Sequence, residues 1–267
     1  MDRLTIFAKG NLDVRDTLHA LRVGGELRWN GVNEIVRLRH PSTVVRVRHE
    51  TLARSDLLVA ADGEVPAALA GCTPALGPYP LASQYGRALF DTPADAYVLS
   101  IQSDVATQLW RHRRDGFLFL AYEWGAWSEV DRRWLLDEFE RAGAIEVDAS
   151  MRNFAAVVER LRAASGAPIL VYNVSSVVPG DSVHSHQGLG ETLSTRIRRF
   201  NVALADLSAR TGISVVDVDT IVARAGADRL KLDAFHLNAE GCRLVAQEVV
   251  RILEDLGALV PHEEARC

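Results

Sequence analysis

Short apolar runs alternate with longer amphipathic segments along most of the chain. The runs are five or six residues long and are rich in Val, Ile and Leu, which is typical of parallel strands buried on both faces. They are Leu4–Ala8, Thr43–Arg48, Ala96–Ile101, Pro168–Tyr172 and Ile213–Val218. Strands that alternate with helices predict an α/β fold, and we expect a three-layer, flavodoxin-like parallel sheet.

The amphipathic segments predict the helices that cover this sheet. A first helix, capped by Asp13 or Asp16, should carry Leu18, Leu21 and Val23 and break at Gly24-Gly25. Further helices are predicted at Trp29–Arg39, Arg132–Ala142, Asn153–Ala164, Thr195–Arg210 and Cys242–Leu256. Residues 61–95 are interpreted as loop with weak helix, and Phe117–Tyr122 as a strand. Arg46 and Arg48 alternate with valines in the second strand, which places that strand near a sheet edge.

The pattern favours one domain spanning residues 1–267, enlarged by an aromatic-rich insertion at about 104–150. Four of the five tryptophans fall in this insertion, at positions 110, 124, 127 and 134. Two interpretations stay open. The insertion is either an extra hydrophobic subdomain or homodimer interface, or a lid over a substrate with an apolar or aromatic acyl group.

Composition narrows the function classes. The net charge is −5 and the basic residues are not clustered, so we expect no nucleic-acid partner. No apolar run approaches the ~18 residues of a membrane span, and no signal peptide is apparent, so we expect a cytoplasmic protein with a small-molecule substrate. Cys72, Cys242 and Cys267 are interpreted as free thiols. Of the 30 basic residues, only Lys9 and Lys231 are lysines, which we interpret as the result of GC-rich codon bias.

The last third of the chain holds the strongest candidate chemistry. Asp233 precedes His236 by three residues in Leu232-Asp-Ala-Phe-His-Leu-Asn-Ala-Glu-Gly241, just before the last helix. A carboxylate at this spacing can accept the Nδ1 proton of the imidazole and leave Nε2 free as a base. A surface Asp and His in a helix-leading turn is the alternative interpretation.

This segment resembles the C-terminal block of the SGNH hydrolases, also called the GDSL family. The resemblance spans about 60 residues and includes an Asp-x-x-His motif, a short turn, Gly241 and a final helix, with Asn201 where the family often has an asparagine. It implies a flavodoxin-like sheet and a hydrolase or acyl transferase that acts on an ester or acyl bond. Under this resemblance His236 is the base and Asp233 orients it.

The N-terminal blocks depart from the family pattern. A Gly-Asp-Ser motif should follow the first strand, but the chain has Gly10-Asn11-Leu12, and its first serine is Ser42. The Gly-x-Asn-Asp block corresponds to Ile101-Gln-Ser-Asp104, which keeps Asp104 and has Ser103 in place of the asparagine. We therefore expect Gly10, Asn11, Ser103 and Asp104 to line the substrate and oxyanion site, without the usual serine nucleophile.

Three mechanisms remain open from the residues alone. His236 could act as a general base on water or on an acceptor, the nucleophile could have moved to Ser103, Ser175 or Ser176, or the fold could serve non-hydrolytic chemistry. The last class covers a ligand-binding pseudoenzyme and a biosynthetic enzyme that uses the histidine differently. His184 and His186 could ligate a metal with His49, Glu50 or Asp104, but a polar surface loop is favoured, and we expect no metal and no cofactor.

Overall fold

A parallel five-stranded sheet forms the centre of the computed structural model, which describes residues 2–178 and 190–259. Within these residues two 3₁₀ helices, Ala67–Leu69 and Trp124–Ala126, accompany the strands and α-helices. In chain order the elements are β1 Asp2–Lys9, α1 Leu12–Leu18, β2 Leu21–Val23, β3 Glu26–Trp29, α2 Val32–Arg39, β4 Thr43–Glu50, α3 Ser55–Ala60, α4 Leu81–Tyr85, α5 Ala88–Asp91, β5 Ala96–Ser100, α6 Gln102–Ala106, β6 Leu109–His112, β7 Leu118–Phe119, α7 Glu129–Glu138, β8 Phe139–Gly143, α8 Val147–Ala164, β9 Ile169–Tyr172, α9 Leu193–Thr211, β10 Ser214–Val216, α10 Val218–Ala225, α11 Ala227–Leu230 and α12 Ala239–Asp255.

The order of strands in the central sheet is β10-β9-β5-β1-β4, and every neighbouring pair is parallel. This is the flavodoxin-like order, so the predicted fold class is confirmed. β4 lies at an edge, as the exposed arginines of that strand predict. The chain leaves β1 towards one edge and β5 towards the other. A crevice therefore opens between these two strands at their carboxyl ends, where ligands bind in such sheets.

Side chains alternate between the two faces of the sheet with the period of two that strands impose. Ile6 and Val98 pack on one face with α1, α2 and α12, whereas Phe7 and Leu99 pack on the other face with α8 and α9. Helices cover both faces, and the strands are consequently apolar nearly throughout. The three layers leave the carboxyl edge of the sheet as the place where polar side chains can gather.

The region after α1 differs from the prediction. α1 ends at Leu18, and residues 21–29 form the antiparallel hairpin β2–β3 instead of continuing the helix. Gly24 and Gly25, with φ of 58° and 85°, make the two-residue turn that such hairpins favour. The next helix was expected from Trp29, but Gly31 has a φ of 80° and α2 begins after it, at Val32. Leu18 and Leu21 imitate helical spacing, which explains the wrong prediction.

The insertion forms its own three-stranded antiparallel sheet, in the order β7-β6-β8. The helix predicted at Arg132–Ala142 is wrong in its second half, because the chain leaves α7 at Glu138 and Phe139 pairs with His112 of β6. The predicted strand at Phe117–Tyr122 is reduced to β7. A separate hydrophobic cluster, which includes Trp110 and Phe119, holds the sheet together. The single-domain organisation and the lid or dimer role stay predictions.

Both lysines of the chain are buried near the carboxyl edge of the sheet. Lys9 ends β1 with 1% of its surface exposed, and its Nζ donates to Glu50 Oε2 (3.1 Å) and to the carbonyl oxygen of Ser83 (2.9 Å). Burial lowers the pKa of this ammonium, and the carboxylate of Glu50 opposes that effect. Lys9 thereby ties β1 to the end of β4 and to α4.

Candidate active site

Asp233 and His236 form a hydrogen-bonded pair in the loop between α11 and α12. His236 Nδ1 lies 2.6 Å from Asp233 Oδ2, and the backbone N–H groups of Phe235 and His236 both donate to Asp233 Oδ1 at 2.8 Å. Partial burial alone would raise the pKa of Asp233, but these donors outweigh it and hold the pKa below its usual value. An ionised carboxylate can only accept, so Nδ1 carries the proton and Nε2 is the free ring nitrogen.

The loop around this pair is closed by its own backbone. Lys231 and Leu237 form an antiparallel bridge, and the N–H of Leu232 donates to the carbonyl of His236 at 2.9 Å. Asn238 caps α12 by accepting from the N–H of Gly241 at 3.0 Å. A Cβ at Gly241 would lie 3.0 Å from Leu237 Cβ and 3.1 Å from the carbonyl oxygen of Leu230, so a glycine suits this close approach.

The exit of β1 brings Asn11 to the same edge of the sheet. Asn11 Nδ2 donates to Ser103 Oγ (3.0 Å), and Ser103 Oγ donates its only proton to the carbonyl of Leu52 (2.6 Å). This chain of donors fixes the orientation of the Asn11 amide. The preceding residue, Gly10, is buried, and a Cβ there would come within 2.6 Å of Val14 Cγ2. The glycine therefore allows α1 to fold back directly after β1.

Ser103 and Asp104 do not line the cleft as expected. Both are 1% exposed, and they face the interior from the first turn of α6. Asp104 accepts from the backbone N–H of Ser55 (2.7 Å), from Ser150 Oγ (2.6 Å) and from Ser55 Oγ. Burial raises the pKa of this carboxyl, although the three donors oppose the effect. Asp104 thus joins α3, α6 and α8, and Ser103 reaches the site only through the amide of Asn11.

His236 and Asn11 line one cleft of about 280 Å³ at the carboxyl edge of the sheet. Gln102, which follows β5 at the switch point of the sheet, also lines this cleft. Tyr79 and Tyr122 line it as a neighbouring pair, with ring centroids 5.3 Å apart. The other lining residues are Leu12, Thr51, Pro78, Ala106, Thr107 and Phe235. Among the described lining residues, His236 is the one with an ionisable nitrogen, and none is a serine or cysteine.

Ser175 and Ser176 are buried and do not line this cleft. Ser175 faces a small internal cavity, and the N–H of Ser176 donates to Asp219 Oδ1 at 2.7 Å. Asn201 accepts from the N–H of Val174 (3.2 Å) and donates to its carbonyl (2.7 Å). Asn201, where the resemblance places an asparagine, therefore holds the segment after β9 in place.

Several cleft residues were missed from the sequence. Gln102 stands at a strand exit next to the predicted Ser103, and the helical turn decides which of the two faces outwards. Tyr79 and Tyr122 come from segments whose position a strand pattern does not predict. His184 and His186 lie outside the described residues. Within residues 2–178 and 190–259, no group of three or more His, Cys, Asp or Glu side chains is arranged to hold a metal ion.

Cys72 and Cys242 are free thiols, and Cys267 lies outside the described residues. Burial raises the pKa of Cys242 to about 12, so this thiol stays protonated at neutral pH. In the described part of the chain, no helix has the length and apolar character needed to cross a membrane.

Known proteins resemble this chain in sequence and in fold. The sequence profile of the GDSL-like lipase/acylhydrolase family matches residues 129–244. No curated protein matches the chain at a significant level. A protein from Slackia heliotrinireducens assigned to the SGNH hydrolases superposes with a TM-score of 0.50 and 17% identity, over 94% of this chain and 98% of that protein.

Two further solved structures share the fold. The acetyl xylan esterase AlAXEase superposes with a TM-score of 0.52 and 12% identity, over 94% of this chain and 99% of its own. An alpha/beta hydrolase enzyme from the metagenome of Lake Arreo, Spain, reaches a TM-score of 0.53 at 12% identity, with 96% of each chain covered. At these identities the superpositions establish the fold, and the chemistry must be argued from the residues of this chain.

Proposed function

We propose that this protein hydrolyses or transfers the acyl group of an ester, with His236 as a general base and without a covalent serine intermediate. The match of residues 129–244 to the GDSL-like lipase/acylhydrolase family and the fold shared with solved esterases support this proposal. The observation that carries this proposal is the 2.6 Å hydrogen bond between Asp233 and His236, because His236 itself lines the cleft. The bond holds the imidazole in the tautomer that can accept a proton at Nε2.

In the proposed reaction, the oxygen of a water molecule attacks the acyl carbonyl carbon while one of its protons passes to His236 Nε2. The carbonyl π electrons move to the oxygen, and the tetrahedral oxyanion then expels the alkoxide, which takes the proton back from His236. The products are a carboxylic acid and an alcohol; with an acceptor hydroxyl or amine in place of water, the product is a new ester or amide. General base catalysis of this kind contributes about 10²–10⁴-fold.

The oxyanion needs donors, and three groups at the switch point are suited to supply them. Asn11, Leu12 and Gln102 line the cleft, and the donors they offer are two side-chain amides and the backbone N–H of Leu12 in the first turn of α1. The bond from Asn11 Nδ2 to Ser103 preorganises one of these amides, which reduces the reorganisation required in the transition state.

The cleft favours an uncharged ester with a small or aromatic acyl group. Its walls are largely apolar or aromatic, and its volume is about 280 Å³. Because the described lining contains no arginine, lysine, aspartate or glutamate, an anionic or cationic substrate would lose its hydration without gaining an ion pair. A neutral p-nitrophenyl ester is therefore expected to turn over faster than the corresponding hemisuccinate.

Turnover of p-nitrophenyl esters by the wild type, His236→Ala and His236→Gln tests the role of the histidine. We expect both variants to lose at least about 10²-fold in kcat/KM, because neither side chain can accept the proton. The glutamine variant keeps a polar side chain of similar length and controls for packing. If either variant turns over like the wild type, His236 is not the base.

A fluorophosphonate probe tests the absence of a serine intermediate. We expect no covalent label and no burst of p-nitrophenol, because Ser103 is buried with its proton engaged and neither Ser175 nor Ser176 lines the cleft. A stoichiometric label on a serine or on Thr51 or Thr107 would show that the reaction proceeds through an acyl-enzyme. Specific ligand binding without turnover of any ester would favour the ligand-binding or biosynthetic alternative.

A further inference from the structure

Lys231 is the first residue of the loop that carries the Asp233–His236 pair, and this lysine is 9% exposed. Its Nζ donates to the carbonyl of Ala234 at 2.8 Å and to the carbonyl of Val177 at 2.5 Å. Ala234 stands between the two members of the pair. The ammonium group therefore holds the loop at its centre and attaches it to the segment after β9.

That segment is itself fixed to two helices. The N–H of Ser176 donates to Asp219 of α10, and Val174 exchanges two hydrogen bonds with Asn201 of α9. Lys231 thus connects the loop of the pair to a rigid part of the fold. Replacing the ammonium group would remove both of these hydrogen bonds, and with them the connection between the loop and that part of the fold.

The charge of Lys231 depends on its surroundings. Burial lowers the pKa of its ammonium to about 8, and the carboxylates of Asp233 on the same loop and Asp219 on α10 oppose this effect. Asp13 of α1 and Tyr172 of β9 line the same internal cavity, and burial raises the pKa of both. Hydrogen bonds from an ionised donor are roughly twice as strong as neutral ones, so loss of the proton weakens the attachment.

We propose that Lys231 is a positioning residue that holds the Asp233–His236 pair in its working geometry only while its side chain is protonated. It acts through the carbonyl of Ala234 and does not belong to the cleft lining, so it should affect kcat more than KM. The effect on turnover rests on the proposed function, whereas the effect on the geometry of His236 does not.

The pH profile of kcat/KM tests this role in the wild type, Lys231→Arg and Lys231→Met. The wild type should lose activity on the alkaline side with a midpoint near 8. The arginine variant keeps its charge at all working pH values, so that limb should disappear. The methionine variant should show a kcat about tenfold lower across the range, with KM changed less than about twofold, and no limb near 8.

Lys9→Met is the matched control, because it removes the other buried lysine and its bonds to Glu50 and Ser83. This variant should lose stability but keep the alkaline limb. If the limb persists at the same midpoint in Lys231→Arg, or disappears in Lys9→Met, the assignment to Lys231 is wrong.

A readout independent of turnover uses protein labelled with ¹³C and ¹⁵N only in lysine and histidine. Such a protein gives two sets of lysine side-chain signals, one for Lys9 and one for Lys231, which Lys9→Arg assigns, and His236→Gln assigns the ring signals of His236. The Lys231 signal should titrate near pH 8, and the ring signals of His236 should shift with the same midpoint. If those ring signals do not shift, the proposal is wrong, even if the protein hydrolyses esters. If no ester turns over, the proposed function fails, and this measurement still tests the link between Lys231 and His236.

Discussion

Replacing Asp104 with alanine should destabilise the fold and leave the chemistry of the cleft in place. The backbone N–H of Ser55 and the hydroxyl of Ser150 both donate to this carboxylate, and both serines are fully buried. Each donor that loses its acceptor in a buried place costs about 1–3 kcal/mol. Removal of a buried charge returns part of this cost, because burial raises the pKa of Asp104.

The net loss is therefore about 2–3 kcal/mol for Asp104→Ala, since the hydroxyl of Ser150 can turn to another acceptor more easily than the N–H of Ser55 can. At about 2–4 °C per kcal/mol for a chain of this size, the Tm should fall by about 4–12 °C. Calorimetry measures the Tm, and an ester assay at 25 °C should give kcat/KM per folded molecule within about threefold of the wild type.

Asp104→Asn is the matched control, because it keeps the size of the side chain and one carbonyl acceptor. It should lose about 1 kcal/mol, less than the alanine variant. If Asp104→Ala kept the Tm of the wild type and lost turnover, the reasoning would be refuted, because Asp104 would then take part in the reaction and would not stabilise the fold.

Three other substitutions probe the site and its surroundings. Asp233→Asn should lower kcat by about 10²–10³-fold in the ester assay with little change in Tm, because the amide favours the wrong imidazole tautomer; an unchanged kcat would contradict this. A Cβ at Gly77, whose φ is 52°, would lie 2.7 Å from Tyr122 Cε1. Gly77→Ala should therefore displace this ring and raise KM about threefold. Gly71→Ala is the control and should leave KM unchanged, because a Cβ at Gly71 meets open space. Burial raises the pKa of Asp13 in the folded protein, so the charged form opposes folding at neutral pH. Asp13→Asn should accordingly raise the Tm at pH 7.5, and this gain should shrink as the pH falls and the wild-type carboxyl protonates; a gain that grows on acidification would contradict the sign.

The fold class follows from the sequence because each apolar run is long enough for one strand and is bounded by turn residues. The elements that could not be predicted depend on contacts between distant segments. Phe139 continues a helical pattern, but pairing with His112 draws it into β8. Leu21 has helical spacing from Leu18, and only the Gly24-Gly25 turn indicates the hairpin.

The same distinction applies to the candidate site. Asp233 and His236 are three residues apart, so their contact is local and can be inferred from spacing alone. Ser103 and Asp104 follow a strand exit, but their direction depends on how α6 packs against α3 and α8. Tyr122 reaches the cleft through the antiparallel insertion, and no periodicity in the sequence indicates where that insertion packs.

The two buried lysines also determine how the folded chain meets a protease that cuts only after lysine. Such an enzyme has two targets in 267 residues, and native structure encloses both. Cleavage after Lys9 requires β1 to leave its place between β5 and β4, which amounts to global unfolding, whereas cleavage after Lys231 requires only the loop of residues 231–237 to open. The two cutting rates therefore report separately on the stability of the whole fold and on the local opening of the site.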